Sequence, residues 1–210
     1  MYFIRHGFSC ANATHNNTNN DVLHHRKYLD PALADTGVSD SKSMRSVAKK
    51  LKQDVVCAST LNRAIETALL MFPRETIHVI PYAKEIRKTQ DNTAQSIRTK
   101  KLFFKKMYPN DYHRIDFSRI SDENRNKWSF TKCMRFVKST FGDSKVALVT
   151  HSLYMVHYLK IPMEPFPFNN CIYEYNDGKV KKIHNGKDAY RNGTIDVLRC
   201  KKNQSKTYLT

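Results

Sequence analysis

The amino-acid sequence predicts an α/β fold, a three-layer α/β/α sandwich with a mostly parallel central sheet. Short apolar runs of strand length alternate along the chain with segments whose apolar residues recur at helical spacing. This alternation is typical of strands joined by crossover helices. A chain of 210 residues is long enough for one such domain and short for two. We therefore expect a single domain over residues 1–210.

Four apolar runs are the predicted parallel strands. They occupy residues 2–4, 55–58, 77–80 and 146–149. Each run is short and rich in aliphatic or aromatic residues. This is the pattern of a strand that is buried on both faces of a sheet.

Three stretches between these strands have apolar residues at positions i, i+3, i+4 and i+7, the spacing of an amphipathic helix. They lie at residues 44–51, 65–72 and 130–137. Ser39 stands near the start of the first as a possible cap, Pro73 follows the second, and the third stops near Gly142. We expect these helices to enclose the sheet.

The C-terminal part contains a predicted hairpin and a predicted tail. Residues 172–175 and 180–183 flank Asn176-Asp177-Gly178, a turn sequence that joins antiparallel strands. We expect this hairpin at an edge of the sheet. Residues 199–210, which include several lysines, are expected to form a flexible tail.

Arginine, histidine and glutamate residues follow the ends of the four predicted strands. Arg5 and His6 end the first, Arg63 lies just past the second, Glu85 follows the third, and His151 follows the fourth. Open α/β sheets bind ligands at the carboxyl ends of their strands. We therefore expect these side chains to converge on one anion-sized pocket.

Together these residues resemble the histidine phosphatase superfamily, the phosphoglycerate-mutase-like proteins named for their Arg-His-Gly motif. The resemblance rests on Arg5-His6-Gly7, Ser9, Asn12, residues 29–37, residues 59–67, Glu85 and His151, which stand in the family's order. It covers most of the chain and implies the phosphoglycerate-mutase-like form of the sandwich. Residues 86–129 fall where this family varies most, so we expect a lid-like insertion there that carries specificity.

The resemblance implies a phosphomonoester hydrolase in which His6 is the nucleophile. A neutral imidazole can attack phosphorus and divide the reaction into two easier steps through a phosphohistidine. Arg5 and Arg63 are then expected to bind the phosphate, because a guanidinium group matches two phosphate oxygens at once. His151 is expected to add a further donor across the same pocket.

Three other residues complete the expected site. Glu85 is expected to protonate the leaving alkoxide as a general acid and then to activate water, although it could also be a solvated counter-charge to its basic neighbours. Asn12 and Ser59 are expected to contact the phosphate. Each also suits a structural role, Asn12 in a turn and Ser59 at the end of a strand.

Two other functions stay open. A phosphoglycerate-type mutase would return the phosphoryl group to its substrate instead of passing it to water. However, Phe8 stands where those mutases usually carry glutamate, and only 65 residues separate Glu85 from His151, fewer than the mutase-type insertion usually gives. A non-catalytic module would use the same fold to bind phosphate or nucleic acid without turnover.

The chain is strongly basic, with a formal net charge of +17 that is concentrated in residues 84–107 and 179–206. Such a field attracts anions, which favours a multiply anionic phosphorylated small molecule as substrate and leaves a phosphoprotein as an option. The same lysines would also suit a merely solvated surface. No nucleic-acid-binding motif accompanies the charge, so nucleic acid is not the expected partner. The oligomeric state is not determined by the sequence.

No cofactor, metal ion or membrane is expected. His24-His25 could suggest a metal, but no carboxylate or cysteine spacing accompanies this pair. The five scattered cysteines include no Cys-x-x-Cys pair, which predicts reduced thiols. No apolar run approaches the ~20 residues of a membrane span and no signal-peptide pattern is present, so we expect a cytoplasmic protein.

Overall fold

One sheet forms the centre of the structure, a computed structural model that describes residues 1–15, 28–163, 167–186 and 199–200. Its strands within these residues are β1 (Tyr2–Arg5), β2 (Val55–Ala58), β3 (Ile77–Val79), β4 (Ile115–Asp116), β5 (Val146–Thr150), β6 (Ile172–Asn176) and β7 (Lys179–His184). Their order across the sheet is β4-β3-β2-β5-β1-β6-β7. The first five strands pair in parallel, and β6 and β7 add an antiparallel hairpin at one edge. The four predicted parallel strands and the predicted hairpin are confirmed.

Helices cover both faces of this sheet. In the described residues they are α1 (Cys10–His15), α2 (Asp35–Ser43), α3 (Arg45–Lys50), α4 (Asn62–Met71), α5 (Ile97–Met107), α6 (Phe130–Phe141) and α7 (Ser152–Leu159). Short 3-10 turns lie at Gln90–Asn92 and Tyr112–Arg114. The predicted helices before Pro73 and before Gly142 are confirmed as α4 and α6.

The core is divided between the two faces of the sheet because successive strand residues point to opposite sides. In β5, Ala147 and Val149 pack with α3, α4 and α5, whereas Val146 and Leu148 pack with α6 and α7. The structure is therefore the three-layer α/β/α sandwich that the sequence predicts. Burial on both faces explains why the β5 sequence is continuously apolar.

The predicted helix over residues 44–51 is confirmed as α3, whereas the cap predicted at Ser39 is wrong. A separate helix, α2, begins at Asp35 with Ala34 as its N-cap residue, and Ser39 is an exposed residue inside it. The chain then turns at Met44 before α3. Gly37 permits close packing of the first turn of α2, because a Cβ atom there would overlap the backbone of Phe8. The first turn of α2 thus packs directly on the loop that follows β1.

The segment 86–129, predicted to be a lid-like insertion, contributes to the sheet and to the core. It contains α5 and the edge strand β4, and the Phe104 side chain of α5 is fully buried against the sheet. Lys100, on the same helix, is also fully buried and forms an ion pair with Asp30. Whether this segment sets specificity stays a prediction.

The predicted flexible tail needs a correction at its first two residues. Cys200 forms a disulfide with Cys10, with their Cα atoms 5.5 Å apart, and Arg199 forms an ion pair with the buried Glu66. The expectation of reduced thiols is therefore wrong for these two cysteines, whose separation of 190 residues hides the pairing from the sequence. Cys57, Cys133 and Cys171 are buried free thiols. Residues 201–210 lie outside the described part.

Candidate active site

Two histidines lie side by side at the carboxyl ends of neighbouring parallel strands. Strands β1 and β5 pair with Arg5 opposite Thr150. His6 and His151 are the next residues after these two strands, so they leave the sheet at the same point. The backbone N–H of His6 donates to the Thr150 carbonyl at 3.0 Å. The centres of the two imidazole rings are 5.1 Å apart. The convergence expected from the sequence is thus present for this pair.

The hydrogen bonds of His6 determine its tautomer. Its Nδ1 lies 2.7 Å from the Gly7 carbonyl, which can only accept, so Nδ1 carries the proton. Its Nε2 accepts a hydrogen bond from Nε of Arg63 at 3.2 Å. Burial, together with the charges of Arg63 and Arg5, holds the pKa of His6 well below its usual range. His6 is therefore a neutral imidazole whose Nε2 lone pair faces a guanidinium group.

Two buried guanidinium groups flank this imidazole. Arg63, the second residue of α4, donates from Nη1 to the Asp91 carbonyl at 2.8 Å and from Nη2 to Oδ1 of Asn92 at 2.5 Å. Arg5, the last residue of β1, donates from Nη1 to the Pro167 carbonyl. Only 4% and 6% of the surfaces of Arg63 and Arg5 are exposed. Two buried cations beside a neutral histidine create a positive field at the carboxyl ends of the strands, which attracts anions.

His151 contacts the predicted residue Ser59. The Ser59 hydroxyl, which follows β2, lies 2.7 Å from Nε2 of His151, while Nδ1 of His151 has no hydrogen-bond partner within the described residues. The pKa of His151 is well below its usual range because the ring is buried and lies close to Arg63 and His6. Ser59 and His151 thus form a second uncharged unit opposite His6.

Glu85 joins the same cluster through the helix that follows His151. Its carboxylate accepts hydrogen bonds from the backbone N–H groups of Leu153 at 3.2 Å and Tyr154 at 3.0 Å, in the first turn of α7, and from Ile86 at 2.9 Å. Burial raises the pKa of Glu85, although these bonds and the nearby Arg63 oppose the rise. A buried carboxyl with a raised pKa can hold a proton above its ordinary range.

A protein-family comparison agrees with this geometry. The family described as the histidine phosphatase superfamily (branch 1) matches residues 1–164. The chain belongs to this superfamily. The matched range contains His6, Arg63, Glu85 and His151. No curated protein matches the sequence significantly.

Solved structures of several phosphatases share the fold. A phosphoserine phosphatase from Entamoeba histolytica, in complex with phosphoserine, has 17% identity and a TM-score of 0.50, covering 87% of this chain and 93% of its own. A putative α-ribazole-5′-phosphate phosphatase from Escherichia coli has 17% identity and a TM-score of 0.50, covering 89% and 95%. A mycobacterial glucosyl-3-phosphoglycerate phosphatase has 18% identity and a TM-score of 0.50, covering 87% and 96%.

Asn12, the remaining residue of the expected superfamily set, lies in the loop and short helix after β1. Its side-chain Oδ1 accepts from the backbone N–H of Ser9 at 3.0 Å and from the Ser9 hydroxyl at 2.9 Å. These bonds close the turn that begins α1. They support the structural role considered for Asn12, and contact with phosphate stays a prediction.

Two residues that had no expected role hold the backbone of the superfamily motif in place. The Thr67 hydroxyl accepts from the Gly7 backbone N–H at 2.8 Å and donates to the Arg63 carbonyl at 2.7 Å. The Asn169 amide donates to the His6 carbonyl at 2.9 Å. Thr67 stands four residues after Arg63, on the same face of a helix, and this spacing could have indicated that Thr67 supports the site. The sequence holds no comparable indication for Asn169.

The described residues contain no group of three or more His, Cys, Asp or Glu side chains that could hold a metal ion. His24 and His25 lie outside the described residues. In that same part of the chain, no helix is both long enough and apolar enough to cross a membrane.

Proposed function

We propose that this superfamily member is a metal-independent phosphomonoesterase of the histidine acid phosphatase type, which works through a phosphohistidine on His6. The observation that carries the proposal is the state of His6. Its ring is neutral, its proton is tied to Gly7 at Nδ1, and its Nε2 points toward Arg63. A nucleophilic histidine needs a neutral ring held in a fixed orientation, because only a neutral ring has a nitrogen lone pair that can attack phosphorus.

In the proposed first step, Nε2 of His6 attacks phosphorus and the bond to the alcohol oxygen breaks. The transition state spreads negative charge over three equatorial oxygens, so positioned cations provide most of the stabilisation. Arg5 and Arg63 supply those cations from within a largely buried cluster. Arg63 exchanges its bond to His6 for a bond to a phosphate oxygen, which frees Nε2 for attack.

His151 would donate a further hydrogen bond to the phosphate. In the proposed arrangement the Ser59 hydroxyl, which accepts a long bond from the Leu61 N–H at 3.5 Å, donates its own proton to Nε2 of His151. The imidazole proton then resides on Nδ1, the atom without a partner among the described residues. An unpaired buried N–H is costly unless a ligand satisfies it, and a phosphate oxygen would do so.

Glu85 is the proposed acid and base. Its Oε2 accepts a single hydrogen bond, from Leu153, whereas Oε1 accepts two. Oε2 therefore has room for the proton that the leaving alkoxide needs. After the alcohol departs, the resulting carboxylate would take a proton from water as that water attacks the phosphohistidine, which releases inorganic phosphate and restores neutral His6.

The mutase alternative receives no support from Phe8. This side chain, which occupies the position of the mutase glutamate, is fully buried in an apolar cluster with Cys10, Ala13 and Ala34. It offers no carboxylate to a bound sugar acid.

The proposed substrate is a small phosphorylated molecule with more than one negative charge. The similar structures are named for phosphoserine, α-ribazole-5′-phosphate and glucosyl-3-phosphoglycerate, all small phosphate esters, and a net charge of +17 favours anions. A phosphoprotein is the other option. A cytoplasmic location belongs to the proposal, and the Cys10–Cys200 disulfide weighs against it because disulfides are rare in reducing compartments.

The proposal is tested by incubating the protein with p-nitrophenyl phosphate in the presence of a chelator. We expect released phosphate and an acid-labile, base-stable phosphoryl group on the protein. Replacing His6 with alanine is expected to abolish both, whereas the same replacement at His113, an exposed histidine in a 3-10 turn, should change neither. Full turnover by the His6→Ala protein would overturn the proposal, and rapid isomerisation of 3-phosphoglycerate would favour the mutase.

A further inference from the structure

A lysine beside the cluster has no part in the chemistry described so far. Lys84 directly precedes Glu85 and is only 2% exposed, although lysine is almost never fully buried unless it is paired. Its ammonium group lies under the Trp128 ring system, 4.9 Å from the ring centre. Nζ donates to the carbonyls of Glu85 at 2.9 Å, Arg87 at 3.3 Å and Asn92 at 2.6 Å.

The Asn92 carbonyl links Lys84 to Arg63. The 3-10 turn Gln90–Asn92 holds the Arg63 guanidinium with the Asp91 carbonyl and the Asn92 side chain. The same Asn92 side chain donates to Thr89 at 2.6 Å and to the Asp91 carboxylate at 3.2 Å, which fixes its orientation. The turn that holds Arg63 is thus itself tied to the Lys84 ammonium.

We propose that Lys84 is a positioning residue for Arg63: its ammonium group anchors the turn Gln90–Asn92, and this turn holds the guanidinium beside His6. All three N–H groups of the ammonium are used by backbone carbonyls, so none is available to a substrate. Lys84 therefore acts through Asn92 and Arg63. The inference rests on the proposed function, since it assigns Arg63 to phosphate binding.

The protonation state of Lys84 makes this anchor dependent on pH. Burial and the charge of Arg63 lower the pKa of Lys84 to about 8, against the opposing effect of Glu85, Asp30 and Asp91. His151, whose own pKa is lowered partly by the Lys84 charge, also faces it. A neutral amine has two N–H groups for three carbonyls, so loss of the proton above pH 8 releases one contact of the anchor.

The experiment compares Lys84→Met, Lys84→Arg and the control Lys88→Met, which removes the same charge from an exposed position four residues away. Affinity for inorganic phosphate and kcat/KM for p-nitrophenyl phosphate are measured from pH 6 to pH 10, and thermal unfolding confirms that each variant folds. We expect the phosphate affinity and kcat/KM of the wild-type protein to fall above about pH 8. This alkaline decrease should be absent in Lys84→Arg because a guanidinium group stays protonated. Lys84→Met should lower the phosphate affinity and kcat/KM by roughly 10- to 100-fold, the scale of the effect when a binding group is misplaced.

Wild-type affinity and an unchanged pH profile in Lys84→Met would overturn the inference. If Lys84→Arg does not fold, the ¹³Cε chemical shift of Lys84 in the wild-type protein replaces it. If the titration midpoint of this chemical shift coincides with the pH at which phosphate affinity is lost, the inference is supported. A titration midpoint well separated from that pH would overturn the inference. Absence of turnover and of phosphohistidine in the wild-type protein would refute the proposed function alone, because phosphate affinity still tests Lys84.

Discussion

The Nε atom of Arg63 lies 3.2 Å from Nε2 of His6, so the side chain proposed to bind the phosphate contacts the atom proposed to attack it. This bond occupies the lone pair of Nε2. In the proposed mechanism, a phosphate that binds the Arg63 guanidinium would draw it away from Nε2. Phosphate binding and activation of the nucleophile would then be coupled in a single side chain.

Replacement of Arg63 by lysine should therefore impair both functions. An ammonium group is a point charge and cannot contact the Asp91 carbonyl, the Asn92 amide and a phosphate oxygen with the geometry of a planar fork. We expect kcat/KM to fall by roughly 10²- to 10³-fold, the scale for loss of one transition-state donor. The same change at Arg98, exposed on α5, is the control. Near-wild-type kcat/KM in Arg63→Lys would contradict the assigned role.

Glu85 should matter most for esters with poor leaving groups. Its pKa is raised by burial, so it stays protonated above its ordinary range and loses its proton as the pH rises through the raised value. Hydrolysis of an alkyl phosphate should decline along with that proton. We expect Glu85→Gln to lower the hydrolysis of phosphoserine by roughly 10²- to 10⁴-fold, and to slow the phosphorylation of His6 by p-nitrophenyl phosphate much less, because p-nitrophenolate leaves without a proton.

Measuring both esters separates catalysis from structure at Glu85. The carboxylate also caps α7 through Leu153 and Tyr154, and damage to that helix would displace His151 and slow both reactions alike. An equal loss on both esters would therefore argue against the acid role. Thermal unfolding of the variant shows whether the cap has been weakened.

The meeting of His6 and His151 follows from strand order. Because β1 and β5 are parallel neighbours in register, residues just after their ends must meet, and this applies to His6 and His151. The turn that holds Arg63 depends on the path of a loop between β3 and α5, which no local pattern encodes. Asp91 and Asn92 therefore look like ordinary turn residues in the sequence.

The burial of Lys100 could have been predicted from its helical spacing, although its charge suggests an exposed residue. It lies three residues after Ile97 and four before the buried Phe104, on the apolar stripe of α5. A lysine on such a stripe indicates a buried ion pair, here with Asp30, whereas its neighbour Lys101 is exposed. By contrast, the Cys10–Cys200 disulfide joins residues that are 190 positions apart, and no spacing rule predicts it.

The disulfide should contribute measurably to stability. Joining residues separated by 190 positions restricts the unfolded chain, and the chain-entropy relation gives about 5 kcal/mol for a loop of this order. We expect Cys10→Ser, or treatment of the wild-type protein with dithiothreitol, to lower the free energy of unfolding in urea by up to that amount. The Cys10→Ser/Cys200→Ser protein serves as the control, since dithiothreitol should not affect it further. Identical urea curves with and without reductant would show that the bond is absent in solution.

The Asp30–Lys100 ion pair supports the start of α4, the helix that carries Arg63, and its contribution to stability can be measured directly. Asp30 accepts hydrogen bonds from the Asn62 backbone N–H at 2.7 Å, at the start of α4, and from Lys100, which also donates to the Asn62 side chain at 2.9 Å. Lys100→Met leaves a buried carboxylate without its cation and should cost roughly 3–5 kcal/mol of unfolding free energy.

Lys101→Met is the matched control for that change, because it removes the same charge from the adjacent, exposed position and should alter stability by less than about 0.5 kcal/mol. Adding Asp30→Asn to Lys100→Met should restore part of the loss, since the uncompensated charge is then gone. Chemical denaturation of the four proteins measures these differences. Equal stability of the Lys100→Met and Lys101→Met proteins would contradict the buried pair, because the energetic cost arises from desolvation of Asp30 and has no counterpart at an exposed lysine.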